Sequence, residues 1–255
     1  MYMKYYQNNI YHILDRTETV DFEQDDIKTW DIKKIIEKVI YHYIQSVENS
    51  KELQNVKTDI FDPVIIKDST TRKFRPTLYD FLAHRAIDFF MSGKAEIIKP
   101  AYAFEINNND YFASPDVFTK LNINTLDTFS FRFYALNLLK DLEKFHINDN
   151  DPGALIDATL KRLNFVRKNS ITDEKDSLYL KTLIELNEKY NYSEHSALIS
   201  YTVANEYLRL GRLYNPLQSD EHKNDIKTAY KMCKNAVDKF PDSDGAANCR
   251  VLIEN

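Results

Sequence analysis

Three features of the 255-residue sequence predict an all-α fold of antiparallel helical hairpins. Glycine occurs 4 times and proline 7 times, too sparsely for the tight turns of an all-β chain. Apolar residues recur at the i, i+3, i+4, i+7 spacing of an amphipathic helix through most of the chain. The stretch from Tyr207 to Pro241 reads as two helices in close contact. Gly211 and Ala229 are small enough to let their backbones approach, with Gly211 expected against Ala229. Tyr207, Leu210 and Tyr214 are large enough to fill the space beside them, Ala236 continues the small face, and Pro241 stops the second helix.

In chain order, residues 2–15 carry apolar residues at helical spacing and predict a first helix. Thr17 to Gln24 is polar and reads as a loop. Thr29 is the expected cap of a long helix over 30–48, whose stripe is Ile32, Ile35, Ile36, Val39, Ile40, Tyr43, Ile44 and Val47. Residues 49–75 are mixed, with Phe61 to Ile66 as an extended segment or a strapped loop. Thr77 and Asp80 match a capping box, and Gly93 is the expected stop of that helix. Residues 94–126 read as irregular, with one short helix near 115–120. A strong helix follows over 128–146, and Asn148 to Asp151 breaks it.

Asp151 and Pro152 match an N-cap followed by proline at the first helical position. Helices are then expected at 152–168, 172–190, 193–213, 222–240 and 243–254, with Thr172, Ser193 and Ser243 as caps. Links this short imply antiparallel neighbours. The sequence from Tyr207 resembles the tetratricopeptide signature W-x-x-L-G-x-x-Y, A-x-x-x-F, P, with Tyr207 for Trp and Cys233 for Phe. The chain therefore reads as one helical repeat domain, tetratricopeptide-like or α-solenoid, with an irregular half over 1–150 and a repeat half over 151–255. A solenoid ends on a polar cap. Val251, Leu252 and Ile253 are apolar, so the natural chain is expected to continue.

Composition limits the function. The formal net charge of −5 comes from acids and bases mixed along the chain, which argues against a phosphate-tracking surface and hence against nucleic acid as a partner. No apolar run reaches the roughly 20 residues that span a bilayer, so direct membrane insertion is not expected. The six histidines are scattered singly and form no H-E-x-x-H or other ligand cluster. Asp149, Asp151 and Gly153 hint at a calcium loop, but Leu160 stands where the twelfth-position glutamate is needed. With 4 dispersed glycines there is no phosphate-binding loop and no nucleophile elbow. The expectation is no catalytic residue, no cofactor and no metal.

Cys233 and Cys249 lie eight residues either side of Pro241, so a hairpin centred there would set them opposite each other. They read either as two small buried thiols or, in an oxidising compartment, as a disulfide.

Three segments together resemble one family. They are Lys4 to Glu18 leading into Asp26 to Asp31, Arg75 to Phe90 (RPTLYDFLAHRAIDFF), and Ala229 to Cys249. Their order is similar to the helical N-terminal region of the large alpha-2-macroglobulin family proteins of Bacteroidetes-type bacteria. The resemblance implies a very large exported parent with macroglobulin β-sandwich domains further on, a protease trap that in some members carries a reactive thioester at Cys-x-x-Gln. This chain has no such motif: Cys233 is followed by Lys-Asn-Ala and Cys249 by Arg-Val-Leu. Only a structural role carries over. The resemblance thus implies a non-catalytic scaffold in the periplasm or at the cell surface of a Gram-negative bacterium, with the parent's other domains or a protein partner against it. The alternative is a free-standing cytoplasmic adaptor that binds a protein or peptide.

Overall fold

The computed structural model describes residues 1–14, 26–64, 71–93, 100 and 102–254. Its helices are α1 (Tyr2–Leu14), α2 (Ile32–Glu48), α3 (Ser50–Asn55), α4 (Thr71–Phe74), α5 (Leu78–Met91), α6 (Pro115–Phe118), α7 (Phe131–His146), α8 (Gly153–Asn169), α9 (Lys175–Lys189), α10 (Ser196–Gly211), α11 (Asp225–Lys239) and α12 (Asp244–Glu254). Short 3-10 turns occur at Ile27–Thr29, Thr58–Phe61 and Asn109–Phe112. Among the described residues there is no strand, only isolated bridges of Lys57 with Thr77 and of Ile106 with Ser170. The fold is all-α. The loop expected at Thr17 to Gln24 lies outside the described residues.

Local hydrogen bonds set the helix starts, and several differ from expectation. Asp31, not Thr29, caps α2 by accepting from the Lys34 amide at 2.8 Å; Thr29 belongs to the preceding turn, which Asp26 caps. The stretch 49–75 contributes α3, a 3-10 turn and α4. Helix α7 begins at Phe131 because the Asp127 carboxylate first takes the Phe129 amide and Ser130 then accepts from the Phe133 amide. Pro152 is itself the N-cap residue of α8, and Asp151 accepts from the Gly153 amide at 3.0 Å. Thr172 and Ser193 are engaged in turns ahead of α9 and α10 instead of capping them. Ser243 does cap α12, accepting from the Ala246 amide at 3.2 Å.

The chain forms two units, which do not part at residue 150. The first comprises Met1–Pro63, Pro76–Phe104 and Asn124–Leu138; the second comprises Val64–Arg75, Glu105–Ile123 and Leu139–Asn255. The first unit packs Tyr6, Ile13 and Trp30 on Ile35 and Val39, the buried stripe of α2. Aromatic contacts extend this core. Tyr43 stacks on Phe89 at 4.4 Å, and Phe90 meets Phe131 and Tyr134, each at 5.3 Å. Helix α5 starts on the expected capping box, with the Asp80 carboxylate accepting from the Thr77 amide and the Thr77 hydroxyl accepting from the Asp80 amide. It stops before Gly93, whose φ of 64° lies in the left-handed region open to glycine.

The second unit holds an ion pair with no exposure on either side chain, Arg162 of α8 with Glu143 of α7. Arg162 Nε donates to Glu143 at 2.7 Å, Nη1 to the Tyr111 carbonyl at 2.5 Å and Nη2 to the Ala113 carbonyl at 2.9 Å. The guanidinium lies 4.1 Å from the Phe118 ring centre. Burial pushes the Glu143 carboxyl up, and the adjacent guanidinium opposes this. Arg167, one and a half turns along α8, bonds Asp176 of α9 at 2.7 Å and Glu206 of α10 at 2.5 Å, and covers the Tyr179 ring. The Arg167 hydrogen bond holds Asp176 below the usual carboxylate range. Burial, with the Glu206 charge, pushes Tyr179 up to about 12.

Thr77→Ala should destabilise the first unit by about 1 kcal/mol, the usual worth of an N-cap, whereas Thr77→Ser should be nearly neutral. Denaturant unfolding followed through Trp30, the protein's single tryptophan, reads this unit. Equal midpoints for the alanine and serine variants would remove the cap from the account.

Candidate functional site

The residues singled out in the sequence converge on α10, α11 and α12 in the second unit. Ala197 and Ala204 of α10, Ala229, Cys233 and Ala236 of α11, and Cys249 of α12 form one buried cluster. Tyr207, Leu208, Met232 and Val237 pack on it half-buried. Small side chains at these crossings let helix axes come close, and the larger ones seal the edges. Leu210 and Tyr214 are half-buried, and Pro241 is exposed just past the end of α11.

Gly211 does not face Ala229. A Cβ placed on Gly211 would lie 2.6 Å from Ile226 Cγ1 and 2.9 Å from the Ile226 amide nitrogen, at the first turn of α11. The end of α10 therefore meets the start of α11, as in an antiparallel hairpin, with Ala229 about one turn further along. The reason for the correction is register: residues 212–224 link the helices, and their sequence does not fix how far α11 slides along α10.

Gly245, which the sequence reading passed over, makes the closest approach. A Cβ there would lie 2.2 Å from the Ala197 carbonyl carbon and 2.3 Å from the Leu198 nitrogen. The first turn of α12 thus lies directly on the backbone of the first turn of α10. The only sequence signal is the run Gly245-Ala246-Ala247 after a serine cap. Gly153 plays a related part at the start of α8, where a Cβ would come within 2.8 Å of the His195 ring.

Cys233 and Cys249 come together in this cluster, both fully buried free thiols. Around the same hairpin several large apolar residues stay in solvent: Leu213 and Leu217 in the link, and Ile226 and Tyr230 on α11. Leu217 is 94% exposed, which is unusual for leucine and marks the tip of the link.

The buried histidines elsewhere in this unit have carboxylate partners, whereas the Thr159 hydroxyl on α8 is buried without a hydrogen-bond partner. His146 bonds Asp149 at 2.7 Å, and His195 bonds Asp151 at 3.1 Å while its ring meets Phe74 edge-on at 5.4 Å. Among the described residues, no group of three His, Cys, Asp or Glu is placed to hold a metal ion. No helix there is long and apolar enough to cross a membrane.

The first unit has an open cleft of about 280 Å³. It is walled by Tyr2, Val39, His42, Tyr43 and Arg85, and Tyr2 stacks on His42 at 5.4 Å. Its lining brings no carboxylate or thiol to the histidine. No protein-family model, curated protein or solved structure matches the chain.

Gly245→Ala should destabilise the second unit by about 1–3 kcal/mol, because a methyl group would meet backbone that cannot turn aside. Gly211→Leu should cost about as much by overpacking α11. Gly211→Ala should be milder, since its closest contact is an isoleucine side chain and its backbone contact, at 2.9 Å, is looser than the 2.2 Å one at Gly245. Denaturant unfolding followed by circular dichroism ranks the three. A Gly245→Ala variant as stable as the parent would mean that α12 does not lie on α10.

Proposed function

We propose that the chain is a non-catalytic helical scaffold, tetratricopeptide-like in its second half, that holds a protein partner or the remaining domains of a longer parent chain. The observation that carries this reading is the stack of α10, α11 and α12. Its conspicuous residues, Gly211, Gly245, Ala229, Ala236 and Ala204, act by being small where helices cross. The exposed apolar residues Leu213, Leu217, Ile226 and Tyr230 beside that stack give it a face suited to protein contact. The buried polar side chains support the same reading, because Arg162, His146 and His195 are engaged by neighbouring carboxylates and carbonyls. The family resemblance adds a parent of the alpha-2-macroglobulin type, working as a protease trap in the periplasm or at the cell surface, with this region as a support.

A photo-crosslinking residue at Tyr230, introduced into the natural gene in its own cells, tests the reading. Leu126, exposed in the first unit and more so than Tyr230, serves as the control position. The expected result is one discrete crosslinked species from position 230 and none from position 126. Peptide mapping of that species to macroglobulin domains of the same reading frame would support the trap, and mapping to a separate cytoplasmic protein would make the chain an adaptor. Indiscriminate or absent crosslinking from both positions would overturn the scaffold, as would stoichiometric zinc or iron in the purified chain by elemental analysis.

A further inference from the structure

The scaffold reading leaves the two cysteines without a role, and their arrangement is specific. Cys233 lies on α11 six residues before its end, and Cys249 on α12 five residues after its start. Only Phe240 to Ser243 separate the helices, so the chain turns straight back and sets the two positions side by side. Both residues have no solvent exposure and belong to one core cluster with Ala204, Ala229 and Ala236. Both are free thiols in the structure, so the pair is open to reaction. A buried cysteine that serves only as a small apolar filler has no need of a second sulfur beside it.

We propose that Cys233 and Cys249 form an intrachain disulfide that latches α12 onto α11. The reaction is thiol–disulfide exchange with a disulfide donor, either an oxidised glutathione or the oxidised dithiol of an exchange protein. The Cys233 thiolate attacks one donor sulfur, breaks the donor S–S bond and releases one donor thiolate. The Cys249 thiolate then attacks the Cys233 sulfur of the mixed disulfide and releases the second donor thiol. One S–S bond forms in the chain, one is lost from the donor, and the two protons shed by the cysteines end on the donor sulfurs. The two cysteines are interchangeable in these steps, because exchange takes place with the pair opened. Because both sulfurs are covered, exchange requires α12 to swing off α11 first. The bond is therefore made during folding or a local opening, and once made it prevents that opening.

The test uses the whole chain, unfolded in urea and refolded in a mixture of reduced and oxidised glutathione. Intact mass measured without reduction should fall by two hydrogens. No thiol should react with iodoacetamide after denaturation, and a proteolytic digest should contain one crosslinked pair, Cys233 with Cys249. The thermal midpoint of the second unit should rise by roughly 5–10 °C over the reduced chain, and dithiothreitol should reverse the rise. Cys249→Ala should show one free thiol and no such shift. If that variant does not fold, the mass and thiol count of the parent chain still decide the matter. Two alkylated cysteines in correctly refolded chain, or separate glutathione adducts on each with no crosslinked pair, would overturn the latch.

Discussion

The second unit depends on a single buried cation. Segment 105–123 has few helical hydrogen bonds of its own, yet Ile106, Phe112, Phe118 and Ile123 are all buried. Arg162 makes this possible by offering its planar fork of donors to two carbonyls of that segment and to Glu143 at once. An unpaired charge here would cost several kcal/mol, so the site tolerates only an arrangement in which every donor finds its acceptor. The requirement fixes where the 3-10 turn Asn109–Phe112 and α6 lie against α7 and α8. The ring of Phe118 completes the enclosure from the remaining side.

From α8 the constraint passes along the chain through progressively different physics. Arg167 draws α9 and α10 together by bridging Asp176 and Glu206, and it is only partly buried, so its bonds are screened more than those of Arg162. Gly153 then leaves room for the His195 ring immediately before α10. Beyond that point charge gives way to shape. Helices α10, α11 and α12 are held by small side chains, and Gly245 brings two helix starts into direct backbone contact. The apolar exposure of Leu217 and Tyr230 lies at the outer side of this last, purely steric layer.

Much of the helical content was legible because its signals are local. Thr77 and Asp80 lie three residues apart and cap α5 as their spacing implies, and the stripe from Ile35 to Val47 is buried on one face of α2. Starts were read too early where a hydroxyl serves a turn ahead of the helix, as with Thr172 and Ser193. That Cys233 and Cys249 lie in one core cluster was readable because a short link mirrors positions about its centre. The partner of Gly211 was misread because the longer link before α11 leaves its register open. Arg162 gave no usable signal, and Gly245 only the short run of small residues after a serine. An arginine in a helix is ordinarily a solvated residue and a glycine near a serine ordinarily a turn, and what distinguishes these two lies on segments far away in the chain.

Hydrogen exchange on the Arg162→Lys variant tests most directly whether this cation organises the unit. Lysine keeps the charge beside Glu143 but lacks the fork that reaches both carbonyls. The account predicts that amides of residues 111–118 lose protection in the variant while those of α10, α11 and α12 exchange as in the parent chain. Unchanged protection at 111–118 would contradict it, and so would a uniform loss across all the helices, which would make Arg162 one more contributor to global stability and not the anchor of that segment.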